Sequence, residues 1–292
     1  MNDKDFHTRL FKTVKRVRVL AGLLTAATLL LAWLVFFSKT TPANPFDPPE
    51  MTAARYASHD VVGDLGGMPV TIPSHFANFV EYNGDSGWGE KRKGPRPERT
   101  HASKLSSFGF YVRFPDMAGL SNPELWKDKE SRSIYNTMWI DVGLNSGDRY
   151  TDAGGLDRLT SAIGKSGAII KYEQYAQLPD LHHGLTVYAA AGIDPKTKKP
   201  YRQDSHAKDI FVHRDPTGRV DAYISCSNRP HEAAPCKQYI SLEPNMKALA
   251  YVGYRRGQLP EWQRIQTSVT QLILSFNAAK PATTEKPVAS KP

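Results

Sequence analysis

The residues best equipped for chemistry are the adjacent His182 and His183 in PDLHHG, the carboxylates Glu81 and Asp85 in FVEYNGDSGWGEKRK, and the cysteines Cys226 and Cys236. Two neighbouring histidines could bind a metal ion or relay a proton. Successive side chains on a strand point to opposite faces, however, and the Pro and Gly flanking this pair favour a loop, so exposed loop histidines are expected. Glu81 and Asp85 would suit an acid–base pair if the fold held them at a fixed separation. Nothing in the sequence fixes that separation, and Asn83-Gly84-Asp85 is first of all a turn. No G-x-S-x-G, H-E-x-x-H, P-loop or G-x-G-x-x-G occurs beyond residue 38, which removes the common hydrolase, metalloprotease and nucleotide signatures. No catalytic residue, metal ligand set or cofactor is assigned, and an enzyme is not expected.

Gly87–Lys104, GWGEKRKGPRPERTHASK, is the stretch that composition singles out. It carries six Lys/Arg against two Glu, with a Trp between glycines and little that could enter a core. The plain reading is a solvated loop. As a binding loop it would offer Arg and Trp, residues enriched at interface hot spots. On that reading Trp88, Lys91, Arg92, Lys93, Arg96 and Arg99 are the candidate partner-binding residues.

These groups must be held somewhere, and the N-terminus says where. Val19–Ser38, VLAGLLTAATLLLAWLVFFS, is uncharged for twenty residues, the length a helix needs to cross a bilayer. Six Lys/Arg precede it in residues 1–18, and only Lys39 is basic just after it. The positive-inside rule therefore puts residues 1–18 in the cytoplasm and everything beyond Ser38 outside. A cleaved signal peptide is the competing reading, but it expects a shorter apolar run and a small-x-small cleavage site. The chain has a formal charge of +9, of which residues 1–18 hold +4 and residues 277–292 hold +2, leaving +3 for residues 19–276. A uniformly basic nucleic-acid-binding domain is thus excluded, and a mean hydropathy of −0.47 with one long apolar run excludes a multi-span membrane protein.

An oxidising compartment lets Cys226 and Cys236 pair across the nine residues between them. Two free thiols are the alternative. A zinc site is weaker still, because His231 is the only other good ligand between them.

Composition divides the rest. Residues 39–51 are a Pro-rich spacer, residues 277–292 a disordered tail, and residues 52–276 a single domain. Within that domain, residues 108–114, 138–144, 185–191, 209–214, 220–226, 237–242 and 247–254 are β-branched and aromatic runs bounded by turn residues, which predicts strands. Asp215-Pro216-Thr217-Gly218 predicts a hairpin turn. The chain from Asp209 to Tyr254 then reads as a four-stranded antiparallel meander, with the cystine joining its second and third strands. Trp262, Ile265, Val269, Leu272, Ile273 and Phe276 recur at helical spacing after Pro260, predicting an amphipathic helix packed on the sheet. The expected class is α+β: antiparallel sheet with a C-terminal amphipathic helix, preceded by one N-terminal transmembrane helix.

Three phrases carry a family resemblance: GGMPVTIPSHFANFVEYNGDSGWGEKRK, GFYVRFPDM, and CKQYISLEPNMKALAYVGYRRGQLPEWQRIQTSVTQLILSF. Together they cover about a third of the chain. They resemble envelope-anchored immunity proteins encoded beside type VI secretion effectors, including those that neutralise periplasmic phospholipases. The resemblance implies a binder that blocks a secreted, lipase-type toxin by occlusion, held near the lipid by its anchor. Two other classes stay open: a structural component of an envelope complex, and a periplasmic hydrolase with an unrecognised site.

Overall fold

The computed structural model describes residues 59–86, 90, 94–95, 97–150, 154–163, 175–204 and 206–279. The predicted cytoplasmic segment 1–18, transmembrane helix 19–38 and spacer 39–51 lie outside these residues. No helix among the described residues is long and apolar enough to cross a membrane.

Antiparallel sheet dominates. A hairpin of β1 (Val61–Leu65) and β2 (Met68–Ile72) leads into β3 (Asn78–Tyr82), β4 (Leu105–Arg113), the two-residue β5 (Ala118–Gly119), helix α1 (Pro123–Ser131) and β6 (Trp139–Ser146). After these come helix α2 (Gly155–Ser161), β7 (Tyr175–Gln177), β8 (Thr186–Ala190), β9 (Lys208–Arg214), β10 (Val220–Ser227), β11 (Pro235–Ser241), β12 (Ala248–Arg255) and helix α3 (Trp262–Ser275). All seven predicted strands are present, the 215–218 turn closes the β9–β10 hairpin, and β9 to β12 form the predicted meander.

Strand order in the large sheet is β3-β4-β6-β12-β11-β10-β9-β8-β7, with β5 paired to β4. From β6, an interior strand third in that order, the chain crosses to the far edge at β7. It returns strand by strand until β12 pairs with β6, Val252 opposite Val142.

Period-two patterning decides which face is which. Along β12, Ala248, Ala250, Val252 and Tyr254 are buried while Leu249, Tyr251, Gly253 and Arg255 face outward. The inner face packs on α3, where Trp262, Ile265, Val269, Ile273 and Phe276 are all buried. Each such side chain stabilises by about 2 kcal/mol through burial. Gln238, fully buried on β11, keys the helix to the sheet: its amide donates to Gln266 Oε1 on α3 at 2.8 Å and its oxygen accepts from Tyr254 Oη at 2.9 Å. Pro260 lies in a 3-10 turn, Arg256–Glu261, that feeds α3.

The β1–β2 hairpin closes the open edge of this core. Its Gly66-Gly67 turn has φ values of 59° and 99°, and a Cβ on Gly66 would lie 2.4 Å from the Lys247 carbonyl oxygen. Only glycine lets the two backbones meet there, with Lys247 N donating to Gly66 O at 2.8 Å. The start of the predicted disordered tail is also ordered. Asn277 pairs with Val70, and Ala278 N donates to Pro69 O, which ties the chain after α3 to β2.

Cys226 and Cys236 face each other at the β10–β11 pair and form a disulfide.

Candidate functional site

The outer face of the sheet is covered unevenly. Over β9 and β10, Leu156 of α2 packs with Ile210, Val212, Val220 and Tyr223 in a second small core. That small core reaches Tyr239 on β11 and Leu249 at the start of β12; over β4, β6 and the rest of β12 no such layer of described residues is present.

Strand register writes one row across this face: Gly109 on β4, Gly143 on β6, Tyr251 on β12, Tyr239 on β11 and Tyr223 on β10. Tyr223 lies beneath α2, Tyr239 meets it edge-on at 5.8 Å, and Tyr251 lies across Gly143. A Cβ on Gly143 would fall 2.0 Å from Tyr251 Cζ, so glycine is what allows the ring to lie down. Gly109, directly opposite Gly143, has no ring over it. The result is a groove of about 370 Å³ floored by the two glycines and walled by Tyr251 on one side and β3 on the other.

Phe79 forms that second wall, and it is 82% exposed. Its φ of 52° places a bulky residue in the left-handed region, an arrangement costing about 1 kcal/mol that exposure does nothing to repay. An apolar ring held out at that cost beside a bare glycine floor is the strongest sign of a binding surface in the described residues.

Charges frame the groove. Glu81 is paired with Arg149, and Ser107 Oγ lies 3.1 Å from Glu81 and 3.2 Å from the Arg149 guanidinium. Lys129 Nζ sits 4.1 Å over the Tyr111 ring, and Lys237 Nζ sits 4.1 Å over Tyr251. Asp141 lies over Gly253, whose Cβ would come within 2.3 Å of its carboxylate. Asp141 is solvent-exposed on β6, yet partial desolvation by the atoms packed around it pushes its carboxyl above the ordinary range, against the opposing pull of Lys237 and Lys129.

The residues singled out in the sequence are not brought together here, except Glu81. Trp88, Lys91, Arg92, Lys93 and Arg96 lie outside the described residues. Arg99 is turned onto its own domain: its guanidinium stacks over Tyr82 at 4.1 Å and pairs with Asp85, which also accepts from Tyr82 N at 3.1 Å. Its geometry therefore clamps the base of the loop rather than presenting a free cation. Glu81 and Asp85 are thus each committed to an arginine. His182 and His183 occupy a tight turn in which the His183 carbonyl accepts from Trp262 Nε1 at 3.0 Å, and burial is the main cause lowering the His182 pKa. No group of three or more His, Cys, Asp or Glu able to hold a metal occurs among the described residues.

One pair was not foreseen. His213 Nδ1 lies 2.6 Å from Asp221 Oδ1, with its ring 5.2 Å from that of Trp262. No hydroxyl or thiol among the described residues is hydrogen-bonded to this imidazole, so the pair lacks the nucleophile that would make it a triad. The groove itself was legible only as glycines inside strand patterns, at Gly109, Gly143 and Gly253, which mark close approach.

No family model matches the chain, and no curated protein matches it. Two solved structures are similar to it. One is an immunity protein of the Stenotrophomonas maltophilia type IV secretion system, at 18% identity over 75% of this chain and 93% of that one, with a TM-score of 0.47. The other is the Neisseria meningitidis iron-regulated outer membrane lipoprotein FrpD, at 12% identity over 76% and 94%, with a TM-score of 0.36.

Proposed function

We propose that the chain is an immunity protein that binds a secreted antibacterial effector and blocks it by occlusion, with the open half of the outer sheet face as its contact surface. The observation that carries this reading is Phe79, an exposed ring in strained backbone beside the Gly109–Gly143 floor. Tyr111, Tyr251 and Tyr239 extend the patch with the rigid aromatic area that protein interfaces favour. The sequence phrases quoted above narrow the partner to a type VI effector of phospholipase type. In this reading residues 19–38 anchor the protein in the inner membrane with the domain in the periplasm, where such a toxin meets its lipid. The protein acts as a binder and not as an enzyme, without cofactor or nucleic acid.

Occlusion by a stable complex requires roughly 1,200–2,000 Å² of total buried area. The groove is too small to supply that alone, so the surrounding face takes part. The Gly87–Lys104 loop, which connects β3 to β4, is the second proposed contact.

The test is protection. Cells carrying the effector encoded beside this gene are expected to die when the gene is deleted and to survive when it is restored. The purified full-length protein in detergent is expected to bind that effector by calorimetry. Survival of the deletion strain together with no measurable heat of binding overturns the proposal.

A further inference from the structure

We infer that the groove over Gly109 and Gly143 receives a basic side chain, Arg or Lys, from the partner protein, with Asp141 as its counter-ion. This deepens the immunity reading and rests on it for the partner.

Charge bookkeeping within the groove leads to this guest. Two carboxylates line it, and Glu81 is already neutralised by Arg149. Asp141 makes no ion pair within 4 Å among the described residues. The two lysines closest in effect, Lys129 and Lys237, are drawn onto the rings of Tyr111 and Tyr251. Their field does not offset the desolvation of Asp141, whose carboxyl is held above its usual range.

Each class of guest can be weighed against that arrangement. An acidic guest would meet Asp141 head-on. A purely apolar guest would seal a carboxylate away from water without a partner, which is strongly unfavourable. A long basic side chain satisfies both parts of the groove. Its methylene stem lies on the glycine floor between Phe79 and Tyr251, as such stems do on apolar surface, and its cationic head reaches Asp141. The exposed Phe79 ring adds cation–π attraction.

The inference can be tested without the effector. The full-length protein, labelled with nitrogen-15 at its 21 glycines and held in detergent, gives reporter amides at Gly109, Gly143 and Gly253, with Gly184 and Gly218 as distant controls. The probe is Nα-acetyl-arginine methylamide, compared with its neutral citrulline counterpart. Arginine is expected to shift the three groove glycines in a saturable manner. Citrulline, or arginine on the Asp141→Asn variant, is expected to bind about fivefold more weakly, corresponding to about 1 kcal/mol. Equal binding of citrulline, an undiminished response in Asp141→Asn, or shifts as large at Gly184 and Gly218 overturns the inference. Failure of this test with effector binding intact rejects the guest alone. Success here with no protection in cells rejects the immunity reading alone.

Discussion

Replacing Phe79 with glycine separates binding from folding. The side chain is 82% exposed, so removing it takes little apolar area out of the folded core. Its φ of 52° is one that glycine adopts freely, which relieves about 1 kcal/mol of strain, while glycine's extra freedom in the unfolded chain takes back about 0.5–1 kcal/mol. Net stability should change by about 0.5 kcal/mol or less, a melting-temperature shift of about 2 °C at most for a domain of this size. Binding is different. A phenylalanine side chain presents about 200 Å². Burying the free four-fifths of it under a partner is worth about 4 kcal/mol at most. Incomplete contact brings this to about 2–4 kcal/mol, a loss of about 30- to 1,000-fold in affinity for the variant. Scanning calorimetry and titration calorimetry against the effector read the two quantities separately. A fall in melting temperature of about 5 °C or more would return Phe79 to a structural role, and an unchanged affinity would remove this face from the interface.

Two further outcomes are expected. The Asp141 carboxyl has a folded-state pKa above its unfolded value, so the folded chain holds that proton more tightly; stability is fullest below the unfolded value near 4 and falls as pH rises through the folded one. Asp141→Asn should therefore melt slightly higher than the parent at pH 7, the margin being small because the side chain is exposed and screened, with the difference vanishing below about pH 4, and a variant that melts lower at pH 7 contradicts the uncompensated carboxylate. The Cys226–Cys236 disulfide closes a loop of sequence separation 10, worth about 3 kcal/mol on the chain-entropy argument. The Cys226→Ala/Cys236→Ala protein should melt about 6–12 °C lower, and an unchanged melting temperature would refute that contribution.

The sheet was readable from sequence where patterns were long and regular. β4, β9, β10, β11 and β12 all combine apolar or aromatic runs with clear turn residues, and α3 has a five-residue apolar stripe. The elements that escaped have weak local signals. β1 and β2 are five residues each around Gly66-Gly67, and β3 breaks register at Glu81. Helix α1 is capped by Asn122, which accepts from Leu125 N at 2.9 Å, yet it buries no residue and so shows no apolar periodicity. The open outer face escaped for another reason. Gly109, Gly143 and Tyr251 become neighbours only because β12 returns to pair with β6, and no local pattern encodes which strands will sit side by side. Conversely, composition favoured the Gly87–Lys104 loop, whose Arg99 proves to be tied to Tyr82 and Asp85.

The return of β12 to β6 also sets an order of assembly. Ser146 pairs with Ala248, so about 100 residues must follow β6 out of the ribosome before its second edge is covered, which takes about 5–20 s at ordinary rates of synthesis. Throughout that interval the uncovered edge of a strand interior to the future sheet can pair with other chains. A premature stop anywhere before β12 would leave that edge open permanently. The last 30 or so residues of the domain thus act as the lock of the whole sheet, and loss of β12 and α3 should yield aggregates instead of a smaller folded domain.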